Sequence, residues 1–165
     1  MTRRWWSRLR RSTSGVAAIE LGLIAPVLLA LLLGILDFGM AYWEQMQVVN
    51  AADAGTQWAM QNGYNATNIS ATAQNATYLP LSSSDVQAVN VCGCPTSSGV
   101  AMYACTATCP DGSTPSQYYR VTTHICYKTI FTWPGLTYCS SGDSFCSSCS
   151  SNEIVLTSQS VVAHN

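Results

Sequence analysis

Gly15-Val-Ala-Ala-Ile-Glu20-Leu-Gly-Leu-Ile-Ala-Pro-Val-Leu-Leu-Ala-Leu-Leu-Leu-Gly-Ile-Leu36 decides how the rest of the chain is read. It is apolar throughout except for the carboxylate of Glu20. A bilayer core about 30 Å thick needs roughly 20 apolar residues of helix to cross it, and Val16 to Leu36 meets that length. Arg3, Arg4, Arg8, Arg10 and Arg11 precede the stretch. Cytoplasmic flanks of membrane helices are rich in Lys and Arg. The arginines therefore predict a cytoplasmic N-terminus and an extracytoplasmic C-terminal portion. Trp5 and Trp6 suit the membrane–water interface. A cleaved secretory signal fits less well: the apolar run is too long, and no small-x-small site follows it.

The remainder has a different composition. From Val16 onward there are two basic residues, Arg120 and Lys128, against all eight acidic ones, a net charge of −6. Nothing there can neutralise phosphates, which argues against nucleic acid as a partner. All eight cysteines fall in this part: Cys92, Cys94, Cys105, Cys109, Cys126, Cys139, Cys146 and Cys149. Clustered in a small, charge-poor, extracytoplasmic domain, they read as disulfide candidates. Cys92 and Cys94 cannot readily bridge each other within a strand, so each should reach another segment. Cys105 with Cys109, and Cys139 with Cys146 or Cys149, are conceivable local pairs. Cys92-x-Cys94 with Cys146-x-x-Cys149 makes a poor zinc site, because the first spacing is wrong. Cys146-Ser-Ser-Cys149 lacks the strand-to-helix setting of a redox motif.

Past Leu36 the helix is expected to continue. Asp37 to Asn62 has no proline. Phe38, Tyr42, Met46, Val49, Ala52, Thr56 and Ala59 recur at helical spacing and define its expected buried face. A helix from Val16 to Asn62 would be about 70 Å long, kinked near Pro26 and stopped at Asn62-Gly63. Asp37 is expected at the outer membrane boundary. Residues 64–85 form a polar linker, with a short helix over Thr67 to Tyr78 ended by Pro80. Its Asn-x-Ser/Thr triplets at Asn65, Asn68 and Asn75 are ordinary in so polar a segment. Strands are expected over Val86–Cys92, Val100–Thr108, Tyr119–Trp133 and Glu153–Ala163. The third has the clearest alternation, with Tyr119, Val121, Thr123, Ile125 and Tyr127 on one face and His124 on the wetter one.

The fold class is thus a membrane-anchored α+β protein. Residues 1–15 are a basic leader, 16–36 a transmembrane helix, 37–63 its extracytoplasmic continuation, and 64–85 the linker. Residues 86–165 are a disulfide-rich head with a three- to four-stranded antiparallel sheet that the helix covers. No catalytic constellation, phosphate loop or cofactor motif is present. His124 and His164 read as surface histidines without a paired acid or nucleophile nearby in sequence. The chain is therefore expected not to be an enzyme and to need no cofactor or metal.

The layout of a basic leader ending in Gly15, then Val16-Ala17-Ala18-Ile19, Glu20 and an apolar helix resembles the processing motif of type IV pilins and pseudopilins. Its wording is similar to the TadE/TadG-like family of the tight-adherence (Flp) pilus apparatus. Asp37-Phe38-Gly39 resembles the end of that family's membrane segment. Cys92-Gly93-Cys94-Pro95, Cys105, Cys109 and Tyr118-Tyr119-Arg120-Val121 resemble its head. The likeness is strong over Gly15 to Asn62, looser over Val86 to Ala163, and absent from Thr137 to Asn152. Leu21 stands where members often carry Phe or Tyr.

The resemblance implies cleavage between Gly15 and Val16 by a prepilin peptidase, or an uncleaved leader that serves as a plain anchor. It also implies that Glu20 is an intramembrane assembly carboxylate, paired with the freed α-amine of a neighbouring subunit. Its implied partners are the bacterial inner membrane, pilin- or pseudopilin-like subunits and the pilus assembly platform, reached through the helix. The head would be periplasmic, or at the cell surface if assembled into a pilus. The competing reading is a tethered adhesive or ligand-binding head, with Tyr103, Tyr118, Tyr119, Tyr127, Trp133 and Tyr138 as contact aromatics.

Overall fold

A computed structural model describes residues 14–130, 149 and 153–164. The elements are α1 (Ser14–Asn62), α2 (Ala66–Asn75), β1 (Val86–Thr96), β2 (Gly99–Tyr103), β3 (Ser116–Lys128) and β4 (Glu153–Ala163). The chain divides into two compact units, Met1–Gly39 and Met40–Asn165, and α1 contributes to both.

In the first unit, α1 continues through Pro26 without interruption. It is long and apolar enough to cross a membrane, and its large side chains face outward. Leu23 and Ile19 are 77 % and 74 % exposed. A helix apolar all round, with no packing face of its own, is the pattern of a membrane span.

In the second unit, the strands form one antiparallel sheet in the order β2-β1-β3-β4. The expected head is therefore present, with four strands. On the β3 face read as buried, Tyr119, Val121, Thr123 and Tyr127 are buried; His124, on the face read as wetter, is buried too. β4 spans the expected Glu153–Ala163. The other strands are bounded differently. β1 runs on to Thr96 because Cys92 to Thr96 pair with β2 across a hairpin whose turn needs Gly99 at φ 131°. β2 stops at Tyr103, where the chain leaves the sheet and returns Cys105 to Cys92. β3 ends at Lys128; Phe131 and Trp133 lie outside the described residues.

The part of α1 from Met40 lies on this sheet. Thr123 Oγ1 donates to the Val48 carbonyl at 2.8 Å, a buried bond. Thr56 Oγ1 meets Ser160 Oγ at 3.0 Å, and Gln45 Nε2 donates to the Thr157 carbonyl at 2.9 Å. The buried positions are Val48, Ala51, Ala52, Gly55, Thr56 and Ala59. This bears out Ala52, Thr56 and Ala59 of the expected face and corrects the rest of it: Phe38, Tyr42, Met46 and Val49 are exposed. The cause is steric. A Cβ on Gly55 would stand 3.1 Å from Val121 Cγ1 and 3.3 Å from Ile69 Cγ2. Only small residues permit so close an approach, so the helix rolls onto its alanines.

The helix ends as expected. Gly63 takes φ 81°, and its N–H donates to the Ala59 carbonyl at 2.9 Å. A left-handed residue after a helix favours glycine. α2 begins at once, capped by Asn65, whose side chain accepts from the Asn68 N–H at 3.1 Å. The core joins α1, α2 and the sheet through Ala51, Ala59, Ile69, Ala73, Leu81, Val86, Tyr119 and Val121.

Candidate functional site

The residues singled out from sequence belong to two separate places, one in each unit. In the first unit, Gly15 and Val16 stand in the first turn of α1. The first four N–H groups of a helix have no intrahelical acceptor, so this turn is the easiest part of α1 to open. Gly15 has open space where a Cβ would be. Glu20 is one turn beyond Val16 on the same side of the helix. Glu20 is exposed, and no ion pair engages it among the described residues. Val16, Ile19, Leu21 and Leu23 around it are exposed as well. The geometry is a lone carboxylate in an apolar stripe near a helix start. Chemically it can accept hydrogen bonds or pair with a cation from another molecule. Asp37, expected to mark a wet boundary, is buried and 2 % exposed.

In the second unit, the cysteines settle into three bridges: Cys92–Cys105, Cys94–Cys109 and Cys126–Cys149. Cys92 and Cys94 each reach another segment. The conceivable Cys105–Cys109 pair is not formed. The reason lies in β1: residues two apart in a strand share a face, so both sulfurs point toward the segment that follows β2. That segment doubles back through Pro110–Pro115, where Gly112 takes φ 84° and Cys109 N–H donates to Ser113 O at 2.9 Å. Gly93, between the two cysteines, has no room for a side chain: a Cβ there would lie 2.5 Å from Val100 Cγ1.

Cys139 and Cys146 lie outside the described residues. Cys92, Cys94 and Cys149 are committed to sulfur, which overturns the zinc alternative built on them. Cys126, Cys149 and Glu153 are close enough together to share a metal ion, but the first two are joined to each other.

His124 departs from expectation. It is buried, 3 % exposed, with Nε2 3.7 Å from Asp85 Oδ1. Its N–H also donates to the Asp85 carbonyl at 3.0 Å. The wetter face of β3 is covered here, so alternation alone misplaced it. His164 is exposed and meets the Tyr119 ring edge-on, with centroids 5.2 Å apart. Tyr118, Tyr119 and Tyr127 are buried, which removes three aromatics from the proposed contact surface. Tyr103 is 38 % exposed; Trp133 and Tyr138 lie outside the described residues. Sequence reading missed Gly55, the bond from the Thr123 hydroxyl to α1 and the capping role of Asn65, all of which are structural. A small residue amid larger ones on a helix was the available signal for Gly55.

No curated protein and no solved structure matches the chain. Residues 15–57, which carry Gly15, Val16, Glu20 and Asp37, do match a family model: the family is that of the TadE-like proteins, the one this stretch resembles by its motif.

Proposed function

We propose that the chain is a minor, pseudopilin-like, bitopic component of a tight-adherence (Flp-type) pilus assembly apparatus. The observation that carries this reading is the TadE-like match at residues 15–57 over a helix fit to cross a membrane, with Glu20 five residues after Gly15. On this reading the arginines hold the N-terminus in the cytoplasm of the inner-membrane side, and the disulfide-bearing unit is periplasmic. Prepilin peptidase cuts between Gly15 and Val16. Glu20 then pairs with the new α-amine of a neighbouring pilin-like subunit. In lipid an unpaired carboxylate costs about 2.5–3.5 kcal/mol at the helix centre, so such a pair would fix the axial register between subunits. The protein is a substrate and a building or docking element, not a catalyst.

N-terminal sequencing of the membrane-inserted protein tests the processing step. A chain beginning at Val16 supports it; one beginning at Met1 or Thr2 leaves an anchored accessory factor. Glu20→Ala tests the carboxylate. The variant should insert as well as the parent and fail to assemble. Unimpaired assembly would leave the helix only an anchoring role and favour the tethered-head alternative.

A further inference from the structure

Asp37 is buried, so it does not stand where water begins beyond the apolar helix. The helix after it stays poor in charge: between Asp37 and Asp53 the only acidic or basic residue is Glu44. Met40, Tyr42 and Trp43, which open the second unit, are 55 %, 70 % and 50 % exposed. Successive helical residues are about 100° apart, so these three side chains cover an arc of about 160°. A neighbouring helix is met through a stripe; a broad exposed arc is met more fully by a surrounding medium.

The chemistry of the arc says which medium. Tyr and Trp join an apolar ring to a polar O–H or N–H, and they are enriched where acyl chains give way to headgroups. The depth agrees. From Leu36 to Trp43 is about 10 Å along the helix axis. Side chains on a helix lean toward its N-terminus, which here is the side of the apolar run. A headgroup zone is about 5–7 Å deep, so the leaning rings reach back into it.

The sheet brings matching side chains to the same end. β3 runs from Tyr119, in the core with Ala59, to Thr123, bonded to Val48. It therefore continues toward Met40. Thr123 to Lys128 is about 17 Å of strand, and Val48 to Met40 is about 12 Å of helix. Lys128 is exposed, and Ile130 just past the strand is 54 % exposed. A lysine lays its stem on apolar surface and keeps its ammonium on the wet side, which suits a membrane interface.

We propose that Met40, Tyr42 and Trp43 of α1, with Lys128 and Ile130 at the adjoining end of the sheet, form a collar that lodges in the headgroup zone of the extracytoplasmic leaflet. The partner is the lipid surface itself, and the outer boundary of the bilayer lies at Trp43 rather than at Leu36. The collar rests on the reading that α1 spans a membrane and names a further contact of the second unit with that membrane.

The test places the photo-crosslinker benzoylphenylalanine at one site at a time, Leu28, Trp43, Ile130 or Met60, in the full-length protein in intact cell membranes. Leu28 lies within the apolar run, and Met60, 58 % exposed, is near the far end of α1. Lipid adducts, read by mass spectrometry, should form at Trp43 and Ile130 with yields at least tenfold above that at Met60. Protein adducts in place of lipid at either site would overturn the collar and assign the surface to a protein partner. Yields at either site no higher than at Met60 would overturn it in favour of water. Lipid adducts at Leu28 keep the membrane span standing in both cases; their absence there would remove span and collar together. A second measurement avoids the bulky probe. In nanodiscs of phosphatidylethanolamine and phosphatidylglycerol brominated near the headgroup, a larger fraction of indole emission should be quenched in the parent than in Trp43→Phe. Equal quenching in the two proteins would overturn the collar.

Discussion

The two halves of α1 share one helical backbone and differ in which side chains they present. Up to Leu36 the helix offers Leu, Ile and Val on all sides, and these are exposed. From Val48 to Ala59 its buried positions are mostly Ala, Gly and Thr, while Met46, Val49 and Met60 stay outside. The difference teaches that hydrophobicity and burial are separate quantities. A helix meant for lipid gains from bulk everywhere, because acyl chains fit around any side chain. A helix laid on a sheet gains from closeness, and closeness requires small residues. A scale that ranks residues by apolarity finds the first half at once and only part of the packed face of the second.

The largest test of this contrast is covalent. The second unit is small and is tied by bridges, whereas the membrane half contains no cysteine. The double variant Cys94→Ala/Cys109→Ala frees a loop with a sequence separation of 15. Loss of such a closure costs about 3 kcal/mol in the chain-entropy model. Thermal unfolding followed by near-UV dichroism should show the loss in the second unit, with helix content and membrane insertion unchanged.

A pair of glycines probes the packing directly. Gly55 sits where a Cβ would press on Val121 and Ile69. Gly22 has nothing within 4 Å of that position. Gly55→Leu should destabilise by about 1–3 kcal/mol, the usual cost of overpacking. Gly22→Leu should leave the fold of the second unit untouched. Equal melting temperatures for the two variants would show that helix and sheet do not meet as closely as described.

Much of the fold was legible, and the exceptions share a cause. β4, the alternation of β3 and the stop at Gly63 are encoded locally, by period-two patterning and a left-handed glycine. The buried face of α1 was read correctly at Ala52, Thr56 and Ala59 and misread at Tyr42 and Met46, which outweigh Ala51 and Gly55 on any apolar scale. His124 was misplaced because its neighbour Asp85 enters from β1's start, a register that sequence does not display. The local Cys105–Cys109 pairing was plausible by spacing alone; the β1–β2 hairpin that carries Cys105 back to Cys92 had to be seen. Gly15 and Glu20 needed no fold at all, since their meaning lies in their spacing and in the apolar run that follows.

A subtler lever is Thr123, whose hydroxyl bonds to the Val48 carbonyl in the buried seam between sheet and helix. Val48 O also lies within the helix ladder, so it is not orphaned when the hydroxyl is lost. Thr123→Val keeps the shape and removes the bond, and should cost about 1 kcal/mol. Denaturant unfolding with an unchanged m-value would place the effect in the native state.

The smallest expected effect is electrostatic and belongs to Glu44, in the part of α1 that lies within the second unit. Partial burial raises its carboxyl above the ordinary value, because desolvation disfavours the charged form. The unfolded chain therefore releases this proton at lower pH than the folded one. Below the ordinary glutamate range both states are protonated and Glu44 carries no penalty. As pH rises through the folded value, the stability associated with the neutral carboxyl is lost, and above it the deficit is constant. Glu44→Gln removes the titration. Its stability relative to the parent should be near zero at pH 4, rise across weakly acidic pH and level off by neutrality. The plateau should stay below about 1 kcal/mol, because solvent screens a partly exposed group. A parent more stable than the variant at neutral pH would mean that Glu44 works as an ion-pair partner. The packed half of the helix would then be held by charge as well as by small residues.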